Sequence, residues 1–280
     1  MIKKINFYHS LIFFITSIFI SGFVFFRDNN LIALCLFLIL IIGISHGSLD
    51  NIKGKKLLKS FHIKSMYKFY IGYLMTSIFI ILIWIIFPKT LLLIFLVVAA
   101  YHFGKEDVDF LKKDRKTYDF ILYFLKGSAV IVSPLLFHKI ETIIIFQSLN
   151  FNITGIIFIE NIFLYIFLFF SLISSLFLFL EENIEIKSLI LMDFFSVLIL
   201  NYFLNPIVAF TIYFCFLHST RHSLSLMQQL NKNIKKGFIL FVKKALPLTI
   251  ITAVFYLLSL YFLTNYYELS ESLYKVIFIG

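Results

Sequence analysis

Apolar residues along this chain come in long unbroken runs, separated by short polar stretches. A half-buried strand alternates apolar and polar positions every second residue. A helix crossing about 30 Å of hydrocarbon needs instead a run of roughly 17–25 mostly apolar residues. Such runs fall at roughly 8–26, 31–50, 67–87, 90–106, 118–137, 156–180, 188–204, 206–229 and 245–264, and a further one begins near Leu273. Pro88 and Pro206 sit between runs, where a missing N–H does least harm, and Asn205-Pro206 marks a short hinge. The first run follows a basic start, but no small-x-small cleavage site comes after it, so it reads as a spanning helix. The pattern predicts an all-α, polytopic transmembrane helical bundle of about eight to ten spans, with nine the best count, forming a single integral membrane domain over 1–280.

Composition narrows the class. With 61% hydrophobic and 14% charged residues and a mean hydropathy of +0.97, a soluble domain of this length could not cover its apolar surface. Only 10 glycines and 4 prolines interrupt the runs, which suits continuous helices better than an outer-membrane barrel. Cys35 and Cys215 both lie in apolar runs and read as buried thiols. Charge then orients the bundle. Alternate loops hold Lys3 and Lys4; Lys53, Lys55, Lys56, Lys59 and Lys64; Lys105, Lys112, Lys113, Arg115 and Lys116; Lys187; and Lys232, Lys235, Lys236, Lys243 and Lys244. The opposite loops hold Arg27, Lys89, Lys139 and Lys275, a bias of 18 to 4 that predicts a cytoplasmic N-terminus. Topology and anionic headgroups account for the net charge of +10, so no nucleic-acid partner is needed.

Four of the seven histidines break the apolar runs: His46 in GISHGSLD, His102 in AAYHFGKED, and His218 and His222 in FCFLHSTRHS. His9, His62 and His138 lie at run ends or in loops, where a solvated imidazole is the ordinary expectation. The second, fourth and eighth spans all run from outside to inside, which puts the four imidazoles at similar depth in the cytoplasmic half of the bilayer. His218 and His222, four apart, share one helical face. A lone intramembrane histidine reads as an interhelical hydrogen-bonder; four from three helices at one level point to a metal site. Neutral imidazole suits iron, zinc, copper or nickel, and spacing does not choose among them. Asp50 and Asp107 follow their histidines by four and five residues, as imidazole-orienting groups, partners for Arg221, or interfacial charges. Arg221 points about 100° away from His222 and so away from a metal. Gly43, Gly47 and Gly104 would let helices approach closely. The same features suit a histidine-lined metal or proton transporter.

Together, GISHGSLD, YHFGKEDVDF and YFCFLHSTRHS resemble the Brp/Blh family of bacterial and archaeal membrane β-carotene 15,15′-dioxygenases. Its pattern runs H-G-x-x-D, H-F-G-x-x-D and H-S-x-R-H, and His46 with Asp50, His102 with Asp107, and His218 with Arg221 and His222 fall on it. The family's last helix continues into a further Pro-His element, whereas this sequence ends at YKVIFIG. The resemblance implies an Fe(2+) centre held by His46, His102, His218 and His222. It also implies oxidative cleavage of β-carotene by O2 to two all-trans-retinal, in a bacterial or archaeal inner membrane beside a retinal-using rhodopsin. Tyr101, Phe103, Tyr213 and Phe214 are then the expected walls of the polyene pocket. A non-catalytic carotenoid or retinoid binder is the alternative.

Overall fold

The computed structural model describes residues 2–23, 31–43, 47, 49–111, 119–149 and 160–279. Among the described residues there is no strand. The helices are α1 (Ile2–Ser21), α2 (Ile32–Leu38), α3 (Asp50–Ser60), α4 (Met66–Ile86), α5 (Pro88–Glu106), α6 (Asp119–Phe137), α7 (Lys139–Ser148), α8 (Asn161–Leu178), α9 (Ile184–Phe203), α10 (Pro206–Ile212), α11 (Thr220–Leu230), α12 (Ile234–Leu263) and α13 (Leu269–Ile279). A π-helical turn, Ile39–Gly43, extends α2, and another, Tyr213–Ser219, joins α10 to α11. The expected polytopic helical bundle is what forms, and helix covers most of the described part of each of the nine expected runs.

Local chemistry starts and stops these helices. Pro88 and Pro206 occupy the first turns of α5 and α10, where proline's missing donor is harmless. Asn183, Asn205 and Asn233 cap α9, α10 and α12 by accepting from Ile186, Ile207 and Lys236 main-chain N–H groups. Among the described residues, six helices are long and apolar enough to cross a membrane: α1, α4, α6, α8, α9 and α12. The remaining expected spans belong to α2, α5 and α10–α11, and two of these are broken by a π turn. The ninth span departs from expectation, because α12 begins at Ile234 and Lys235, Lys236, Lys243 and Lys244 ride on it instead of forming a loop. Its 30 residues reach about 45 Å, so a lysine-bearing end must extend past the hydrocarbon.

The bundle places apolar bulk outside and small residues inside. Nothing on α4 is buried, and Ile71, Leu74, Met75 and Phe79 stand exposed, as lipid-facing side chains should. The interior faces of α6, α8 and α9 carry buried Ser133, Ser171, Ser175 and Ser196. Ser133, Ser175 and Ser196 donate to the carbonyl one turn back in their own helix, while Ser171 donates across to the Lys126 carbonyl at 2.8 Å, tying α8 to α6. α5 and α6 pack most extensively of all. A Cβ on Gly104 would sit 1.8 Å from the Tyr123 carbonyl oxygen, and one on Gly127 would sit 1.9 Å from that of Ala100. Only glycine permits this approach, which brings the end of α5 hard against the interior. Gly47, by contrast, faces open space and makes no such contact.

Gly127→Leu is therefore expected to lower the apparent Tm of detergent-solubilised protein by several degrees. Overpacking costs about 1–3 kcal/mol, and each kcal/mol moves Tm by about 2–4 °C at this chain size. Gly72→Leu, where nothing lies within 4 Å of an added Cβ, should leave Tm in place.

Candidate functional site

The end of α5, the π turn Tyr213–Ser219 and the start of α11 meet in the interior, and they bring three of the expected histidines together. The His102 and His218 rings lie edge to face with centroids 5.2 Å apart. His218 is 1% exposed and His222 6%, and both face the end of α5. His218 Nδ1 lies 2.6 Å from Asp107 Oδ1, and His222 Nδ1 lies 3.0 Å from Glu106 Oε2. A carboxylate only accepts, so each Nδ1 donates, which makes Nε2 the acceptor or ligand nitrogen of a neutral ring. Tyr213 donates to the other oxygen of Asp107 at 2.7 Å. That carboxylate is thus held on both sides.

The π turn widens the helix by one residue per turn and disturbs the carbonyl ladder, as such turns often do at functional sites. Side chains serve the Cys215 and Phe216 carbonyls here: Thr220 donates to Cys215 O at 3.0 Å, and His9 Nε2 donates to Phe216 O at 2.8 Å. His9, expected to be solvated at a span end, is instead a half-buried strut between α1 and the π turn. Phe214 stacks on His218 at 5.7 Å, and Gly43 abuts Phe214, where an added Cβ would fall 2.7 Å from the ring. The two π turns therefore touch. His46, three residues past Gly43, lies outside the described residues, as does the side chain of Asp50.

Arg221 is 3% exposed and is the hub of the surrounding charges. Its guanidinium grips Asp193 of α9 with two bonds, at 2.5 and 3.0 Å. It also donates to the Asp107 carbonyl at 3.1 Å and to the Ser10 hydroxyl, and lies 5.7 Å from the Phe110 ring centre. Its carboxylate partner is therefore Asp193, where Asp50 or Asp107 was expected; Asp107 meets it only through the main chain. Asp193 was findable, since it is a carboxylate in the middle of the apolar run LILMDFFSVL. Glu106 stands inside the quoted motif beside Asp107. Nothing in the local sequence around His9 or Ser10 signals contact with residues more than 200 positions away. Among the described residues, no three His, Cys, Asp or Glu side chains converge closely enough to hold a metal ion by themselves.

Beside the histidines lies a cavity of about 430 Å³. Its lining includes Ile80, Ile94 and Phe95, exposed on the lipid-facing surface of α4 and α5, and reaches inward to buried Ala99, Phe103 and Tyr213. Phe103 packs against the His218 ring at 4.9 Å. Of the four rings expected as pocket walls, Phe103 and Tyr213 line this cavity. Phe214 stands behind them against Phe210 and His218, and Tyr101 packs against Phe120 and Tyr123.

The comparisons with known proteins point the same way. The family described as "Beta-carotene 15,15'-dioxygenase" matches residues 37–280. A relative from Uncultured marine bacterium 66A03, named "Beta-carotene 15,15'-dioxygenase", is 29% identical over 247 residues, covering 87% of this chain and 86% of its own length. No solved structure matches the chain.

The buried pair makes a clear stability prediction. Asp193→Leu or Arg221→Met alone leaves an uncompensated charge in the interior, which costs about 3–5 kcal/mol. The double variant Asp193→Leu/Arg221→Met should recover much of that loss in a thermal-unfolding cycle. Additive losses would show that the two side chains do not act as a pair.

Proposed function

This chain belongs to the β-carotene 15,15′-dioxygenase family, and we propose that it cleaves the central 15,15′ double bond of β-carotene with O2 to give two molecules of all-trans-retinal. One observation carries the reading: an apolar cavity that begins among lipid-facing side chains ends on Phe103 and Tyr213, with His102 and His218 immediately behind. A hydrocarbon already dissolved in the bilayer matches both the lining and its position.

The metal in this reading is Fe(II), held by His46, His102, His218 and His222. The donor set fits it in kind: neutral imidazoles, two of them fixed through Nδ1 by a carboxylate in the manner of ligating histidines. When bound, the metal supplies open coordination positions and the electron chemistry that O2 requires. The chain's own residues do the positioning. Asp107 selects the His218 tautomer and orients the ring, and Tyr213 and Arg221 in turn steady Asp107. Glu106 does the same for His222. Phe103 and Tyr213 exclude water and set where the polyene rests, so that its central bond, and no other, lies over the imidazoles.

The lysine bias supports a cytoplasmic N-terminus in a cell inner membrane. The Lys3–Glu182 ion pair, 3.0 Å, agrees with it by holding the N-terminal turn and the α8–α9 connection at one end of the bundle. A rhodopsin that takes up retinal is the downstream partner this product implies.

Expression in β-carotene-producing cells is expected to bleach them and yield retinal on chromatography. His46→Ala, His102→Ala, His218→Ala and His222→Ala should each abolish retinal and lower the iron bound to purified protein. Full activity in any two of these variants would sink the reading. Asp107→Asn leaves the ligands in place but loosens one ring, and should lower kcat by about 10–100-fold together with weaker iron retention.

A further inference from the structure

Between α2 and α4 the chain makes a helix that crosses nothing. α3 has 11 residues, about 17 Å, too short for the hydrocarbon. It stops in a tight turn. The His62 N–H donates to the Lys59 carbonyl at 3.1 Å and the Ile63 N–H to the Leu58 carbonyl at 2.8 Å, with His62 in the left-handed region at φ 56°. The chain then enters α4, none of whose residues is buried.

Gly54, Leu57, Leu58 and Phe61 follow the i, i+3, i+4, i+7 spacing of one helical face. Gly54 is buried against the Phe69 ring in the first turn of α4, where an added Cβ would fall 2.3 Å from the ring. That contact turns the face toward α4, yet Leu57 is 55% exposed and Phe61 67%. Lys55 and Lys59, four apart, form another face and are exposed. Exposed Lys64 and Lys68 continue the basic surface into α4. Leu49, just before α3, clusters with Phe241 and Ala245 of α12, which brings exposed Lys243 and Lys244 to the same end of the bundle. No acidic residue lies between positions 51 and 105 or between 194 and 267. None of these six lysines forms a salt bridge with a described residue. A face built for water mixes both signs of charge and keeps its phenylalanines inside. This one does neither.

We propose that α3 lies in the plane of the bilayer surface and binds anionic phospholipid. Leu57 and Phe61 enter the acyl-chain boundary beside α4, while Lys55 and Lys59 reach to headgroup phosphates. Lys64, Lys68, Lys243 and Lys244 extend the same basic rim. Phosphodiester oxygens supply the counter-charge that the described residues do not, and acyl chains cover the exposed apolar side chains. One ligand thus answers both features, whereas an acidic protein or a nucleic acid answers only the charge. The assignment stands apart from the oxygenase reading, since it uses no residue of the histidine cluster or the cavity.

The test uses the full chain carrying Phe61→Trp in a Trp84→Phe background, so that a single indole reports on α3. It is reconstituted in vesicles of phosphatidylcholine and phosphatidylglycerol, with bromine on the acyl chains of one lipid or the other as quencher. Each lysine at an anionic surface is worth about fivefold in binding. Phosphatidylglycerol is therefore expected beside the indole at least about fivefold above its share of the bilayer at about 0.1 M salt, and within about twofold of that share at about 1 M. Lys55→Gln/Lys59→Gln should bring the same collapse at low salt. Lys89→Gln, at the opposite end of α5 from His102, should leave the preference in place. The salt comparison needs no lysine variant. Equal quenching by the two brominated lipids would overturn the proposal. So would an indole that neither lipid reaches, or a preference that survives the double lysine change.

Discussion

Arg221 touches four parts of the chain at once: Asp193 on α9, the Asp107 carbonyl after α5, Ser10 on α1, and the ring of Phe110. In an apolar interior a buried guanidinium is tolerable only when its charge is paired, as Asp193 pairs it here. Each contact is therefore a condition on the others. If α1 or α9 shifts, a charge is left stranded, so these elements can assemble in few ways. The histidines inherit that definition. Asp107, steadied through its main chain by Arg221 and through its side chain by Tyr213, hands the constraint on to His218. A cluster of charged residues that contributes little net stability can still specify one arrangement of a bundle that is otherwise greasy on every side.

Much of this was legible in the sequence, and the boundary between what was and was not has physical causes. Runs of apolar residues located the spanning helices because backbone groups in hydrocarbon must be satisfied within the helix itself. The short α3 and α7 lay outside those runs, and α12 began eleven residues earlier than its run. The Asn205-Pro206 hinge followed from proline's missing donor. His102, His218 and His222 could be grouped by depth because lysine counts orient every span at once. Partners were harder. Asp193, Ser10 and His9 meet Arg221 and the π turn through tertiary packing across as many as 211 positions, and no local pattern encodes such a meeting. Among aromatic residues beside the motifs, adjacency in sequence could not say which face the cavity. Phe103 and Tyr213 do, while Tyr101 and Phe214 turn elsewhere.

The three spans expected to carry the histidines, in α2, α5 and α10–α11, are also the ones absent from the six helices that length and hydropathy alone would identify. This is the same fact seen twice. Ionisable residues and π turns lower the apolar signal of a segment, and both are what a site inside a membrane needs. Strongly apolar helices such as α4 and α8 carry no ionisable residue at the site and serve as its surroundings.

α4 has no buried residue, yet Ile80 and Trp84 of that helix form part of the cavity wall. α5 cannot yield in its place, because Gly104 and Gly127 lock it to α6 backbone to backbone. The pliable side of the chamber is thus the one held chiefly by lipid. One wall of the chamber is therefore a helix whose outer face, apart from its contact with α3, meets no other part of the described protein, so the packing of the surrounding acyl chains bears on the shape of the cavity as well as on its exterior.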